Sequence, residues 1–291
     1  MSYSYETIED IIRLAEEHSI SFSDVVLQAE LENYENDVET VMAAIDTRLQ
    51  VFEKSIQAGL LNTGKTPSEM SGGQGAQLLA QGQPRFMSDL MYKSMTYAIA
   101  VNEANAKMFK VVACPTAGSC GVMPGCVKAV GEHYKLSHDD YVRGFLTGAG
   151  IGNVVTNRAC VAGAVGGCQA EVGTASAMAA GAIVEMMGGT PRQVGNALAI
   201  CMKNLLGLVC DPVAGLVEVP CIKRNGVYTA HALTAAEMAM AGIESQIPPD
   251  EVIETMNIVG RAMPAALRET SDGGLAKTLT GEKIAKRVRS L

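Results

Sequence analysis

The chain has 291 residues, of which 48% are hydrophobic and 4% aromatic, with 30 glycines, 16 methionines and no tryptophan. That length suits one large domain, and an interior of small, flexible side chains favours closely packed helices over a sheet sandwich. The net charge of −8 argues against a nucleic-acid surface and is local, because residues 1–60 hold thirteen Asp/Glu against three Lys/Arg.

From the N-terminus onward, no basic-then-apolar leader appears, and no window of about 18 residues is apolar and uncharged, so a cytoplasmic protein with no membrane contact is expected. Residues 1–60 read as an acidic helical part. Its second half carries Asn36 as a candidate N-cap with Glu39 three residues on, and Val38, Val41, Ile45, Leu49, Phe52 and Ile56 recur at helical spacing. Residues 62–84 are polar and glycine-rich and read as a loop. The run from Gly59 to Thr66 matches the G-x-x-x-x-G-K-T phosphate-loop pattern, but a helical pattern precedes it and Pro67 follows, so the context refuses it. Ser137 caps a helix that starts "HDDYV", and Thr190 caps another with Pro191 at its first position. Two prolines open a helix at "PDEVIETM", and the basic tail 283–290 reads as a helix end. Between them, 144–189 alternates small residues with glycine, which marks either close helix crossings or a ligand pressed on the backbone. Without strand alternation or a repeat, the reading is one all-α domain over 1–291.

The eight cysteines are Cys114, Cys120, Cys126, Cys160, Cys168, Cys201, Cys210 and Cys221, and none forms a C-x-x-C pair, which speaks against a zinc ribbon, a thioredoxin-like motif or a ferredoxin run. Cys168 lies just before an apolar helical face and would sit at a helix N-terminus. Cys210 and Cys221 stand beside prolines, in loop or terminus positions. Cys201 falls on the apolar spacing of its helix and reads as a core thiol, as do Cys126 and Cys160 in small-residue surroundings. Cys114 and Cys120, which flank a Thr-Ala-Gly-Ser run, are either ligands or buried thiols. That run, Thr116, Ala117, Gly118 and Ser119, offers backbone N–H groups and two hydroxyls that can hold a carboxylate or phosphate. An ordinary tight turn explains it equally well. His18, His133, His138 and His231 sit in no nucleophile or base arrangement, so no general base is evident.

At "PTAGSCGVMPG", "GGCQAEVGTASAMAA", "LGLVCDPVAGLVEVPCIKRN" and "RETSDGGLA" the chain resembles the α subunit of the iron-sulfur-dependent L-serine dehydratases, which use no pyridoxal phosphate. The resemblance implies a 4Fe-4S cluster held by Cys168, Cys210 and Cys221, with one iron left open to take the serine hydroxyl as a Lewis acid. It implies dehydration and deamination of L-serine to pyruvate and ammonia, an amino-acid degradation feeding gluconeogenesis. Thr116, Ala117, Gly118 and Ser119 would receive the substrate carboxylate, with Asn204, Arg268 and Thr270 in the pocket wall. The family's Ser-Ser-His-Thr segment, source of the expected base, is absent, so the catalytic base is assigned to a β subunit in a heterodimer. The chain ends "AKRVRSL" rather than in the cysteine of some fused relatives, so self-inhibition by a tail thiol is not expected. Two other readings compete: a related cluster enzyme releasing sulfide from L-cysteine, and a non-catalytic iron-sulfur sensor. Pyridoxal chemistry would need a lysine in a phosphate-cupping pocket, which no segment presents.

Overall fold

The structure is a computed structural model that describes residues 2–34 and 37–291. Among the described residues there are thirteen α-helices and no strand beyond one isolated bridge, so the all-α expectation holds. None of these helices is long and apolar enough to cross a membrane.

The chain opens with α1 (Ile8–His18), α2 (Phe22–Tyr34) and α3 (Val38–Leu61). The expected cap at Asn36 lies outside the described residues; α3 is capped by Asp37, whose carboxylate accepts the Thr40 amide. Next come α4 (Gln74–Gln81), α5 (Asp89–Ala106), α6 (Val122–Tyr134) and α7 (His138–Arg158), followed by the single turn α8 (Gly163–Gly166) and α9 (Thr174–Met186). The last four are α10 (Pro191–Lys203), α11 (Cys221–Met240), α12 (Pro249–Ala262) and α13 (Leu279–Val288). Ser137 and Thr190 cap their helices as expected, and the structure adds reciprocal capping boxes with Asp140 and Gln193.

Every residue of α9 is buried. With all thirteen residues buried, Glu185 included, this helix of mostly small side chains is an interior one, and α6, α7, α10 and α11 enclose it. The N-terminal helices pack onto this assembly. The Asp250 carboxylate on α12 accepts the Ile8 and Glu9 amides at 3.0 Å each, and Arg192 on α10 pairs with Glu9 and Glu16 at 2.8 and 3.0 Å.

The loop expected throughout 62–84 is interrupted by α4. Gly73 has no side chain to cap it, and the buried Glu103 on α5 supplies the missing acceptor instead, taking the Gln74 and Gly75 amides at 2.9 and 3.1 Å. The preceding residues are equally fixed: the hydroxyls of Thr66, Ser68 and Ser71 all donate to the buried Glu218 carboxylate. Gly59, first residue of the phosphate-loop pattern, lies inside α3, where a Cβ would fall 1.9 Å from the Ala100 carbonyl oxygen. It marks a helix crossing.

Candidate active site

Three segments converge at the C-terminal ends of α8 and α10 and the start of α11. Cys168 immediately precedes a five-residue π-turn, Gln169–Gly173, that runs into α9. Gln169 fixes that entry: its amide donates to Leu208 O at 3.1 Å, its Nε2 donates to Met256 O at 2.8 Å, and its Oε1 accepts the Gly207 amide at 2.8 Å. The same contacts anchor the loop leading to Cys210. There the backbone pairs with a second loop, Cys210 N donating to Leu267 O at 2.9 Å and Glu269 N to Cys210 O at 2.7 Å, which sets Arg268 beside Cys210. Cys221, read from sequence as a terminus beside a proline, is the first residue of a 20-residue helix that the sequence reading did not assign.

All three thiols are buried, and Cys168 and Cys210 pack together. Cys168 is held below the usual thiol range, because Cys210 donates a hydrogen bond to it and the Arg224 guanidinium faces it, which together outweigh burial. Cys210 is pushed up as the donor in that pair, with burial adding to the shift. Burial pushes the Cys221 thiol up to about 12. Arg224 is the fixed cation of the group: its Nη1 donates to Val209 O and its Nη2 to Asp211 Oδ1, both at 2.9 Å. One guanidinium supports one thiolate, so ionising all three calls for a bound cationic group.

Glu171, which sequence reading missed, joins the thiols to the Thr116–Ser119 run. Thr116 Oγ1 donates to Glu171 Oε1 at 2.9 Å, and Cys210 Sγ lies 3.9 Å from Glu171 Oε2. Burial raises this carboxyl above its usual range, the Thr116 bond opposes the rise, and Glu269 adds to it. Its signal in the sequence is one acidic residue three positions after Cys168 in an otherwise small and apolar stretch. Gly163 gives the group room, since a Cβ there would meet Glu171 Oε2 at 2.7 Å and Cys210 Sγ at 3.0 Å.

Ala117–Ser119 form one 3₁₀ turn ahead of α6. Ser119 is fully buried, with its hydroxyl donating to Cys114 O at 2.9 Å, so Thr116, Ala117 and Gly118 are the residues of the run with surface to offer a ligand. Arg268 Nη1 donates to Val165 O at 3.3 Å, while its Nε is buried with no protein partner. Thr270 donates to Ala265 O and lines a separate cavity of about 510 Å³ with Ala214, Ser271, Lys277 and Lys286. Asn204 is exposed and caps the end of α10 through Ile200 O, and this bond does not reach the thiols.

Cys126 and Cys201 are fully buried in the main core, and Cys160 is half-buried. Cys114 and Cys120 are buried in the turn, and burial pushes Cys120 up to about 12. His138 pairs with Asp46 at 2.9 Å, and His231 Nε2 meets Cys201 O at 2.8 Å. Neither of these contacts involves the thiol group.

Among the described residues, no three His, Cys, Asp or Glu side chains are gathered as a single metal ion requires. Three buried thiols on separate segments, one already biased to thiolate, are donors of the type that iron-sulfur clusters take.

A family profile described as serine dehydratase alpha chain matches residues 17–276. The chain is 46% identical over 286 residues to the probable L-serine dehydratase alpha chain of Bacillus subtilis, covering 98% of this chain and 95% of that protein. It is 43% identical over 282 residues to the L-serine dehydratase alpha chain of Peptoniphilus asaccharolyticus, covering 96% and 97%. Against L-serine dehydratase 1 of Escherichia coli the identity is 36% over 285 residues, and the match spans 62% of that longer protein.

Proposed function

Since this chain belongs to the serine dehydratase alpha-chain family, we propose that it is the cluster-binding α subunit of a cytoplasmic L-serine ammonia-lyase that converts L-serine to pyruvate and ammonia. The observation that carries the reading is the packing of Cys168 against Cys210, with Cys221 near enough to interact electrostatically with Cys168, and with Glu171 touching both Cys210 and Thr116 of the turn. Cys168, Cys210 and Cys221 would hold a 4Fe-4S cluster. When bound, such a cluster with one iron free of protein ligands supplies a Lewis acid that assists departure of a hydroxyl.

The chain's own residues have three tasks. Arg224, fixed by Asp211 and Val209 O, offsets the charge of the Cys168 thiolate in a site closed to water. The backbone amides of the Thr116–Ser119 turn hold the substrate carboxylate, with the Thr116 hydroxyl oriented by Glu171. Arg268 lies beside Cys210 as a wall residue; Asn204 and Thr270 stay candidates for the outer wall. Removal of the α-proton near neutral pH needs a positioned base, a step worth about 10²–10⁴-fold. No histidine of this chain is in contact with the thiols in the hydrogen bonds described above, so the reading assigns the base to a β subunit. The extra length of the Escherichia coli relative supports a second part.

The test is to purify the chain anaerobically, measure iron and acid-labile sulfide, and assay pyruvate from L-serine before and after titrating in the β chain. Iron and sulfide in a cluster ratio with activity only on adding β is expected. A protein free of iron, or full turnover by this chain alone, would overturn the assignment of cluster or base respectively.

A further inference from the structure

The turn at Ala117–Ser119 is gripped from the core side by amide side chains. The Gly118 carbonyl accepts from two of them at once, Asn102 Nδ2 on α5 at 3.1 Å and Asn225 Nδ2 on α11 at 2.9 Å. The Ala117 carbonyl accepts from Asn105 Nδ2 at 3.1 Å. Asn102 and Asn225 have no exposed surface. Asn225 reaches further, since its Oδ1 takes the Gly121 amide at 2.9 Å and its Nδ2 also donates to the Cys221 carbonyl at 3.0 Å. One buried side chain therefore ties together the turn, the start of α6 and the first residue of the helix that begins at Cys221.

A trans peptide is planar, with its C=O and N–H pointing in opposite directions. Holding the Ala117 carbonyl toward α5 turns the Gly118 amide away from that helix; the Ser119 amide, opposite the Gly118 carbonyl, belongs to a residue with no exposed surface. Two donors also occupy both lone pairs of the Gly118 oxygen, so this peptide cannot rotate without losing two buried hydrogen bonds. Gly118 faces Glu171, the residue that reaches Cys210: a Cβ there would meet Glu171 Oε1 at 3.3 Å and Val217 Cγ1 at 3.4 Å.

We propose that Asn102 and Asn225, assisted by Asn105, are positioning residues for substrate binding. They lock the turn that carries the half-buried Gly118 amide, and Asn225 sets its placement relative to Cys221. The proposal rests on the reading of this turn as the carboxylate site. The asparagines act through the backbone and touch no substrate atom, and the donors they orient pay no reorganisation cost when substrate arrives.

The experiment uses the cluster-loaded chain with its β subunit. Asn102→Ala, which leaves Asn225 in place, should raise KM for L-serine about threefold with kcat little changed. The Asn102→Ala/Asn225→Ala double variant should raise it about thirtyfold, beyond the product of the single effects, because only then is the carbonyl released. A second readout, calorimetric binding of L-alanine to the same proteins stripped of iron, should weaken in parallel while iron uptake stays unchanged. Should Asn225→Ala fail to fold, Asn102→Ala and the half-buried Asn105→Ala decide the matter. Lower melting temperature or iron content with KM and L-alanine binding unmoved would mean a purely structural role and would overturn the proposal. Gly118→Ala separates it from the reading beneath it. If Gly118→Ala raises KM while the asparagine variants do not, the positioning idea alone fails; if none of them moves KM, the carboxylate does not bind here and both fail.

Discussion

Cys168, Cys210 and Cys221 differ from the other cysteines in company, not in burial. Cys126 and Cys201 are more deeply enclosed, yet they lie among aliphatic core residues, whereas the site thiols face Arg224 and Glu171. Replacing any of the three by Ser should abolish iron binding, because a hydroxyl is a poor ligand for iron-sulfur clusters. Cys201→Ser should keep full iron and lose about 1–3 kcal/mol of stability from burying a hydroxyl. Iron analysis of the anaerobically purified variants checks both, and full iron in all three site variants would refute the ligand assignment. Proline neighbours and loop or helix-end placement set these three apart in the sequence, while their reading as ligands comes from the family resemblance. Glu171 and the asparagine grip were not legible there, because a buried carboxylate and a carbonyl acceptor acquire their meaning only from partners 12 to 107 positions away, such as Asn105, Asn102, Thr116 and Asn225.

Helices were legible where their signals are local. Ser137 and Thr190 carry caps and partners within three residues, and both helices begin where expected. By contrast, α4 depends on Glu103, 28 and 29 positions downstream of the amides it caps. No window of neighbouring residues contains that information. One interior contact between elements gives a pH signature. Glu185 on α9 is buried and accepts from the Ser23 hydroxyl at 2.6 Å and the Ser23 amide at 3.2 Å. Burial raises its pKa above the usual 4.5, against the pull of those donors. A raised carboxyl contributes stability that is complete below the unfolded value and is lost as pH rises through the folded one. Glu185→Gln should therefore gain stability relative to the parent protein as pH goes from below 4.5 toward neutrality. Melting curves of the two proteins across that range test this, and a constant difference in melting temperature would refute it.

At the scale of the whole molecule, the site is assembled from parts spread over 116–119, 163–171, 210–224 and 267–269, joined by side-chain and backbone bonds rather than by a shared element. A group bound to three thiols would add a further link between these segments, so its binding energy adds to folding energy. Chelating the iron should lower the melting temperature by about 5–10 °C. An unchanged melting temperature after verified loss of iron would mean that the segments are held without it. The acidic N-terminal part, prominent in composition, is partly neutralised within the chain, since Arg192 takes up Glu9 and Glu16. Charge along the sequence showed the excess but not where it is spent.

The glycine crossings described for the fold also govern how this sequence can drift. A methyl group on Gly59, Gly121 or Gly125 would meet backbone first: Ala100 O at 1.9 Å, Ala98 O at 2.3 Å and Ser94 O at 2.7 Å. Helix backbones cannot step aside singly, so alanine at these positions should cost about 1–3 kcal/mol or more. On α7 the neighbours are of another kind. Gly144 faces Met186 Cγ at 2.6 Å and Gly148 faces Met123 Cε at 2.4 Å, the flexible reaches of side chains that can swing away. The two seams thus differ in mutational tolerance: in a library of alanine replacements selected for folded protein, positions 144 and 148 should survive while 59, 121 and 125 are purged. Methionine, abundant in this chain, serves there as slack that lets neighbouring positions vary, whereas at 59, 121 and 125 the nearest atoms are backbone.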